Sequence, residues 1–260
     1  MKKLCDYVDS SMCSNVCLAQ IANDCVYGPG FTPAQKDNME RRTAIYGHAI
    51  ELINVVDNEP TSLGAYMFNI DRYATKNLGY DTKQYPNMLC IEGESNSDVG
   101  SSAFFSYSNP QSSGNQFPNE IAYHNEGWRV VYPSINEASY DFSAIKRLVD
   151  FVSDSSDDDF KDSFEQYFNK ESVLKYYLFD MFIGGIDGLS KNFHLCSWDG
   201  LVYYVLPYDL DSCLGGTNTG YLRVPPSCEV GTLYDTDGVT VLEENHFNSW
   251  NSQLWRRVIF

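Results

Sequence analysis

Between positions 185 and 211 the chain reads Gly-Ile-Asp-Gly-Leu-Ser-Lys-Asn, then two β-rich runs, then Pro-Tyr-Asp-Leu-Asp. No other stretch constrains the fold as much. The runs Phe193 to Trp198 and Leu201 to Leu206 flank Asp199-Gly200, the pair of residues most favoured in a two-residue hairpin. A turn there sets Trp198 opposite Leu201, Phe193 opposite Leu206, and Asn192 opposite Pro207. The hairpin then returns Asp209 to the neighbourhood of Asn192 and Asp187.

Asp187 and Asn192 stand five apart, the Asp-x-x-x-x-Asn spacing of a phosphoryl-transfer loop. One base and two metal ligands at a hairpin mouth is what such a transfer needs. The base accepts the proton of the attacking hydroxyl, while Asn and Asp hold magnesium against the phosphates. A plainer reading stands beside this one. Asp and Asn collect in turns because they cap helices and tolerate strained backbone. Asp187-Gly188 would then end the preceding helix, and Asp209 would cap the next element. Where such loops carry a basic residue before the Asp, this chain has Gly185-Ile186.

The formal net charge of -17 over 260 residues argues against nucleic acid and anionic membranes as partners, since both need a basic footprint. With Tyr 19 and Phe 15, a sizeable core is expected. Met1-Lys2-Lys3 imitates the start of a signal peptide, but Leu4 to Asp9 lacks its apolar core. No run has the length of a membrane helix, so the chain as given reads as soluble and unexported. None of the eight cysteines forms a Cys-x-x-Cys pair, and the histidines are scattered. That spacing does not point to zinc, and free, mostly buried thiols are expected.

Along the chain, residues 10 to 26 follow a helical rhythm ended by Gly28-Pro29-Gly30. Strands are expected at Ala44 to Val56, Ala65 to Ile70, Met88 to Glu92, Ala103 to Tyr107 and Trp128 to Tyr132, with a turn at Asn58-Glu59-Pro60. Residues 108 to 120 have loop composition. Helices are expected at Phe142 to Val152, Phe160 to Phe168 and Ser172 to Phe182, with an acidic linker at Ser153 to Asp159. Strands followed by helices and a hairpin make an α+β layout rather than alternating βαβ units.

These residues bring a family into view. Residues 136 to 216 resemble the CotH kinase family, the spore-coat group of atypical protein kinases. The family's Gly-x-Asp turn, Asn, hairpin and Pro-Trp/Tyr-Asp-Leu-Asp segment have counterparts in Gly185-Ile186-Asp187, Asn192, Pro207 to Asp211 and Gly215-Gly216. Asn58 to Tyr66 is similar to its Asn-Gly-x-x-x-Gly-x-Tyr hairpin, Lys3 to Ser11 to its Leu-Lys-x-x-Tyr-x-Asp-x-Ser segment, and Ser252 to Trp255 to a later motif. The resemblance implies a two-lobe protein-kinase-like domain of CotH type, truncated at both ends. Residues 1–135 would be its strand-rich part and 136–260 its helical part with the catalytic loop and metal-binding hairpin. It implies ATP with Mg2+ or Mn2+, and transfer to Ser or Thr of a protein. By position Asp187 would be the catalytic base and Asn192 and Asp209 the metal ligands. Asp211 would add a further acidic group, and Lys3 would reach the nucleotide phosphates. The rival reading is a non-catalytic structural or interaction module of a phage virion, spore coat or cell surface, with coat or virion proteins as partners.

Other residues carry weaker signals. Glu92 suits the carboxylate that pairs with a lysine near the phosphates in kinase-type sites, although a surface carboxylate at a turn is the plainer reading. Asp235-Thr236-Asp237-Gly238 opens like a calcium loop, but His246 holds its twelfth position. A hairpin between Thr232 to Tyr234 and Val239 to Val241 fits better. His194 reads as a structural residue or one that approaches substrate, and Trp198, Trp250 and Trp255 read as core or interface aromatics.

Overall fold

The computed structural model describes residues 2–4, 14–69, 75–93, 128–135, 141–185, 188, 192–211, 213–214, 231–234, 241–246 and 253–259. Helices and antiparallel sheets make it an α+β structure. Among the described residues, no helix is long and apolar enough to cross a membrane.

The first helix, α1 (Ser14–Ile21), continues as a π-helical segment, Ala22–Tyr27, that stops at Gly28 with φ 71°. Thr32 caps the short α2 (Pro33–Asp37) through a reciprocal exchange with Gln35. Strand β1 (Lys2–Leu4) pairs with β3 (Glu59–Asn69), which pairs with β2 (Gly47–Val56). The turn between β2 and β3 is Asp57-Asn58, both at positive φ, as a two-residue hairpin twisted with its strands requires. It therefore falls one residue before the expected position, and Glu59 and Pro60 already belong to β3. Beyond Glu51 this ribbon has solvent on both faces, with Ile53, Val55, Val56 and Leu63 exposed. After α3 (Thr75–Leu78) come β4 (Leu89–Gly93) and β5 (Trp128–Tyr132). The expected strand at Ala103 to Tyr107 lies outside the described residues, as does the loop at 108–120.

A four-stranded antiparallel sheet in the order β5-β4-β6-β7, with β6 Phe193–Ser197 and β7 Tyr204–Pro207, is the centre of the molecule. Every residue of β6 is buried, so both sheet faces are covered. Leu89, Ile91, Phe193, Leu195 and Val205 face one apolar cluster. It contains α4 (Ser143–Asp154), α5 (Asp157–Tyr167) and Trp255 of α7 (Gln253–Ile259). Cys90, Cys196 and Leu206 belong to a second cluster with Leu18, Ala22 and Tyr80. Helix α6 (Lys170–Ile183) joins both, giving Val173 and Tyr176 to the first and Phe179 and Ile183 to the second. A separate pair, β8 (Gly231–Tyr234) and β9 (Val241–His246), brackets the expected turn at 235–238, which itself lies outside the described residues.

Candidate active site

The site is built at the C-terminal end of α6. Asn169 caps that helix at its start, its side chain accepting from the Ser172 amide at 2.9 Å. Gly184, left-handed at φ 61°, ends it. Gly185 and Gly188, beyond it, lie back against the helix. A Cβ built on Gly185 would lie 2.1 Å from an Asp180 carboxylate oxygen, and one on Gly188 only 1.7 Å from it. Only glycine fits against Asp180 at these two places. Tyr176, one turn earlier, donates its hydroxyl to the Gly188 carbonyl at 2.6 Å. Asp187 itself lies outside the described residues, but its flanks are fastened to Asp180 and Tyr176. The Asp180 side chain is buried, and its charge reaches further. Burial first, and then the Asp180 carboxylate, raise the phenols of Tyr27 and Tyr177 above their ordinary value.

The hairpin differs from the expected one by one residue. Phe193 pairs with Pro207, His194 with Leu206, Leu195 with Val205 and Cys196 with Tyr204. Two contacts set this register. Asp199 turns its side chain inward to accept from the Leu201 and Val202 amides at 2.8 and 2.9 Å, which widens the turn. Tyr203 is claimed elsewhere: its amide donates to the Tyr167 carbonyl and its carbonyl accepts from Asn169, both at 2.8 Å. The Tyr208 amide then donates to the Asn192 carbonyl at 3.2 Å, so Tyr208 rather than Pro207 stands opposite Asn192. Asp209 arrives at the hairpin mouth.

Asn192 and Asp209 both have left-handed backbones, at φ 62° and 56°, a region that Asn and Asp enter more readily than other side-chain-bearing residues. Asp209 is exposed, and Asn192 and Asp211 are half-buried. Asn15 of α1 reaches across to this segment. Its amide nitrogen donates to Asp209 Oδ1 at 3.4 Å, and its oxygen accepts from the Leu210 amide at 3.3 Å.

Beneath the mouth lies a buried layer. Glu92 of β4 stands opposite His194 of β6, with Glu92 Oε2 3.9 Å from His194 Nε2 and both side chains under a tenth exposed. The imidazole stacks on the Tyr208 ring at 4.4 Å. Glu92 is thus a buried residue of the sheet and not a surface carboxylate at a turn. Lys3 is placed in β1 opposite Phe68, and its side chain lies outside the described residues.

Sequence reasoning missed Asn15, Tyr176 and Asp180. A signal existed for Asp180: it is a lone acid in the apolar run Leu178-Phe179-Asp180-Met181-Phe182, four residues after Tyr176.

Residues 113–259 match the family described as CotH kinase protein. The chain belongs to the CotH kinase family. The matched span carries the α6 loop, the hairpin and Asp209 of this CotH domain. No curated protein matches the chain.

Proposed function

We propose that this CotH domain moves the γ-phosphoryl group of ATP to a Ser or Thr hydroxyl of a protein, with Mg2+ or Mn2+ as the metal. The convergence of Asn192 and Asp209 at one hairpin mouth, in a chain of a kinase family, carries this reading. The donors suit the metal: an amide oxygen from Asn192 and carboxylates from Asp209 and Asp211 are the hard oxygen ligands such cations take, and none of the three is fully buried. When bound, the metal would neutralise phosphate charge. Asn15 presents the Asp209 carboxylate. Asp187 orients or deprotonates the acceptor hydroxyl, on a loop whose flanks Tyr176 and Asp180 fix. In this reading the domain has the two-lobe arrangement expected of a kinase-like chain, with Lys3 and Glu92 on the nucleotide side.

The test is a thermal melt with and without ATP and Mg2+ or Mn2+, beside Asp209→Asn, followed by a transfer assay with Asp187→Asn. The expected result is a metal-dependent rise in melting temperature that Asp209→Asn loses and Asp187→Asn keeps, with transfer absent in both. An unshifted wild-type melt overturns the reading.

A second reading, a non-catalytic interaction module among coat or virion proteins, has its own support. Leu174, Leu178 and Phe182 lie one turn apart along α6 and are 45%, 66% and 80% exposed, a run of apolar surface of the kind that marks contact faces. This reading expects no response to ATP.

A further inference from the structure

Cys90, His194 and Cys196 come from two neighbouring strands and point their ligand atoms at one another on one face of the central sheet. We propose that they bind a zinc ion that staples β4 to β6.

The placement follows from pleating. His194 and Cys196 are two apart on β6 and so share a face, and Cys90 is the direct cross-strand neighbour of Cys196. One ligand atom from each of the three lies within 4.8 Å of the others, and all three residues are buried. The two sulfurs are 3.3 Å apart. Zinc–sulfur bonds of about 2.3 Å at a tetrahedral angle set two sulfurs about 3.8 Å apart, so the pair needs to open by only about half an ångström. Tyr80 completes the surround, its hydroxyl 3.2 Å from the Cys196 sulfur and 3.6 Å from that of Cys90. As a neutral hydroxyl it donates to a bound thiolate, and a water takes the fourth position beside the three protein ligands. Glu92 Oε2 lies 3.9 Å from His194 Nε2, longer than the hydrogen bond by which a carboxylate orients a ligating imidazole, so the pair would have to close on metal binding.

Ligand chemistry selects the ion. Two thiolates and an imidazole are a soft set, suited to zinc and unsuited to magnesium. Charge balance agrees. Binding releases the two thiol protons to solvent, so a divalent ion on two thiolates and a neutral imidazole adds no net charge to the buried sheet. A disulfide between Cys90 and Cys196 would give the imidazole no part. The set uses none of the oxygen donors at the hairpin mouth: Cys196 lies four residues, about 13 Å of strand, from Asn192, and His194, two residues from Asn192, lies in the buried layer beneath the mouth. Spacing along the sequence hid the set, since Cys90 and Cys196 are 106 residues apart.

The test is metal analysis of the chain purified without chelator, with cobalt replacing zinc in a parallel sample. One zinc per chain is expected, with the sulfur-to-cobalt charge-transfer bands and d–d spectrum of a four-coordinate site. Cys90→Ser and Cys196→Ser should each lose the metal, while Cys213→Ala, a buried thiol outside the cluster, keeps it. The wild-type cobalt spectrum stands even if the serine variants fail to fold. A metal-free wild type after growth in zinc, a Cys90–Cys196 disulfide in the mass spectrum, or zinc retained in both serine variants each overturns the proposal.

Discussion

The carboxylate of Asp180 lies directly against the α-carbon of Gly188, so close that a methyl group placed there would stand 1.7 Å from an oxygen. Gly188→Ala should therefore displace a buried acid and lower stability by about 3 kcal/mol, at the upper end of overpacking costs. It should also abolish transfer. Gly184→Ala is the control: a Cβ there meets nothing within 4 Å, and only its left-handed φ of 61° is strained, costing about 1–2 kcal/mol. Urea denaturation and a transfer assay on both variants decide the matter. Equal losses of activity would mean that the Asp180 contact does not position the loop.

Asn15 touches the Asp209 segment twice. Asn15→Ala should weaken metal-dependent nucleotide binding by about tenfold, the equivalent of about one hydrogen bond, and lower the melting temperature by no more than about 4 °C. Titration calorimetry reads the first and a thermal melt the second. An unchanged affinity would remove Asn15 from the site.

Tyr27 links the π-helical segment to the sheet, donating to the Val205 carbonyl at 3.2 Å. Burial, with the Asp180 carboxylate second, raises its phenol well above 10.0. In the unfolded chain it ionises near pH 10 (about the reference value), so above that pH the unfolded state binds fewer protons and stability falls as pH rises. Below it the contribution is fully present. Tyr27→Phe should cost about 1 kcal/mol at neutral pH and flatten the alkaline decline. Denaturation series across the alkaline range check this, and parallel declines in the two proteins would assign the effect to another group.

Arg257 of α7 closes the end of α4. Its guanidinium donates to the carbonyls of Val152, Ser155 and Ser156 at 2.7–2.8 Å and lies over the Phe160 ring at 4.3 Å. Arg257→Ala should destabilise by about 3 kcal/mol. Arg257→Lys should recover little, because an ammonium cannot reproduce the planar fork. Full rescue by lysine would show that charge alone matters there.

What the sequence revealed was local. Apolar periodicity and capping residues located α4, α5 and α6, and β-rich runs located β2, β4, β5 and β6. The loop-hairpin motif named the family. The register of the hairpin was not legible, because it depends on Asp199 bending inward and on Tyr203 binding the backbone around Phe168, over thirty residues away. The supports of the site were equally hidden. Asn15 meets Asp209 across 194 positions, and such contacts leave no periodic trace. Glu92 looked like a turn carboxylate because its strand ends one residue later, and only sheet pairing shows that it is covered.

The β2–β3 ribbon has a consequence for how the molecule opens. Its base is anchored at Met67, which is fully buried, while among the described residues no layer packs on either face of its outer half. Two strands alone are marginal in water. Amide protons near Asp57 should therefore exchange through fraying that costs almost nothing, and those near Ala49 only when the whole domain unfolds. The ribbon should unzip from its tip inward, and a protease should find its first cut there.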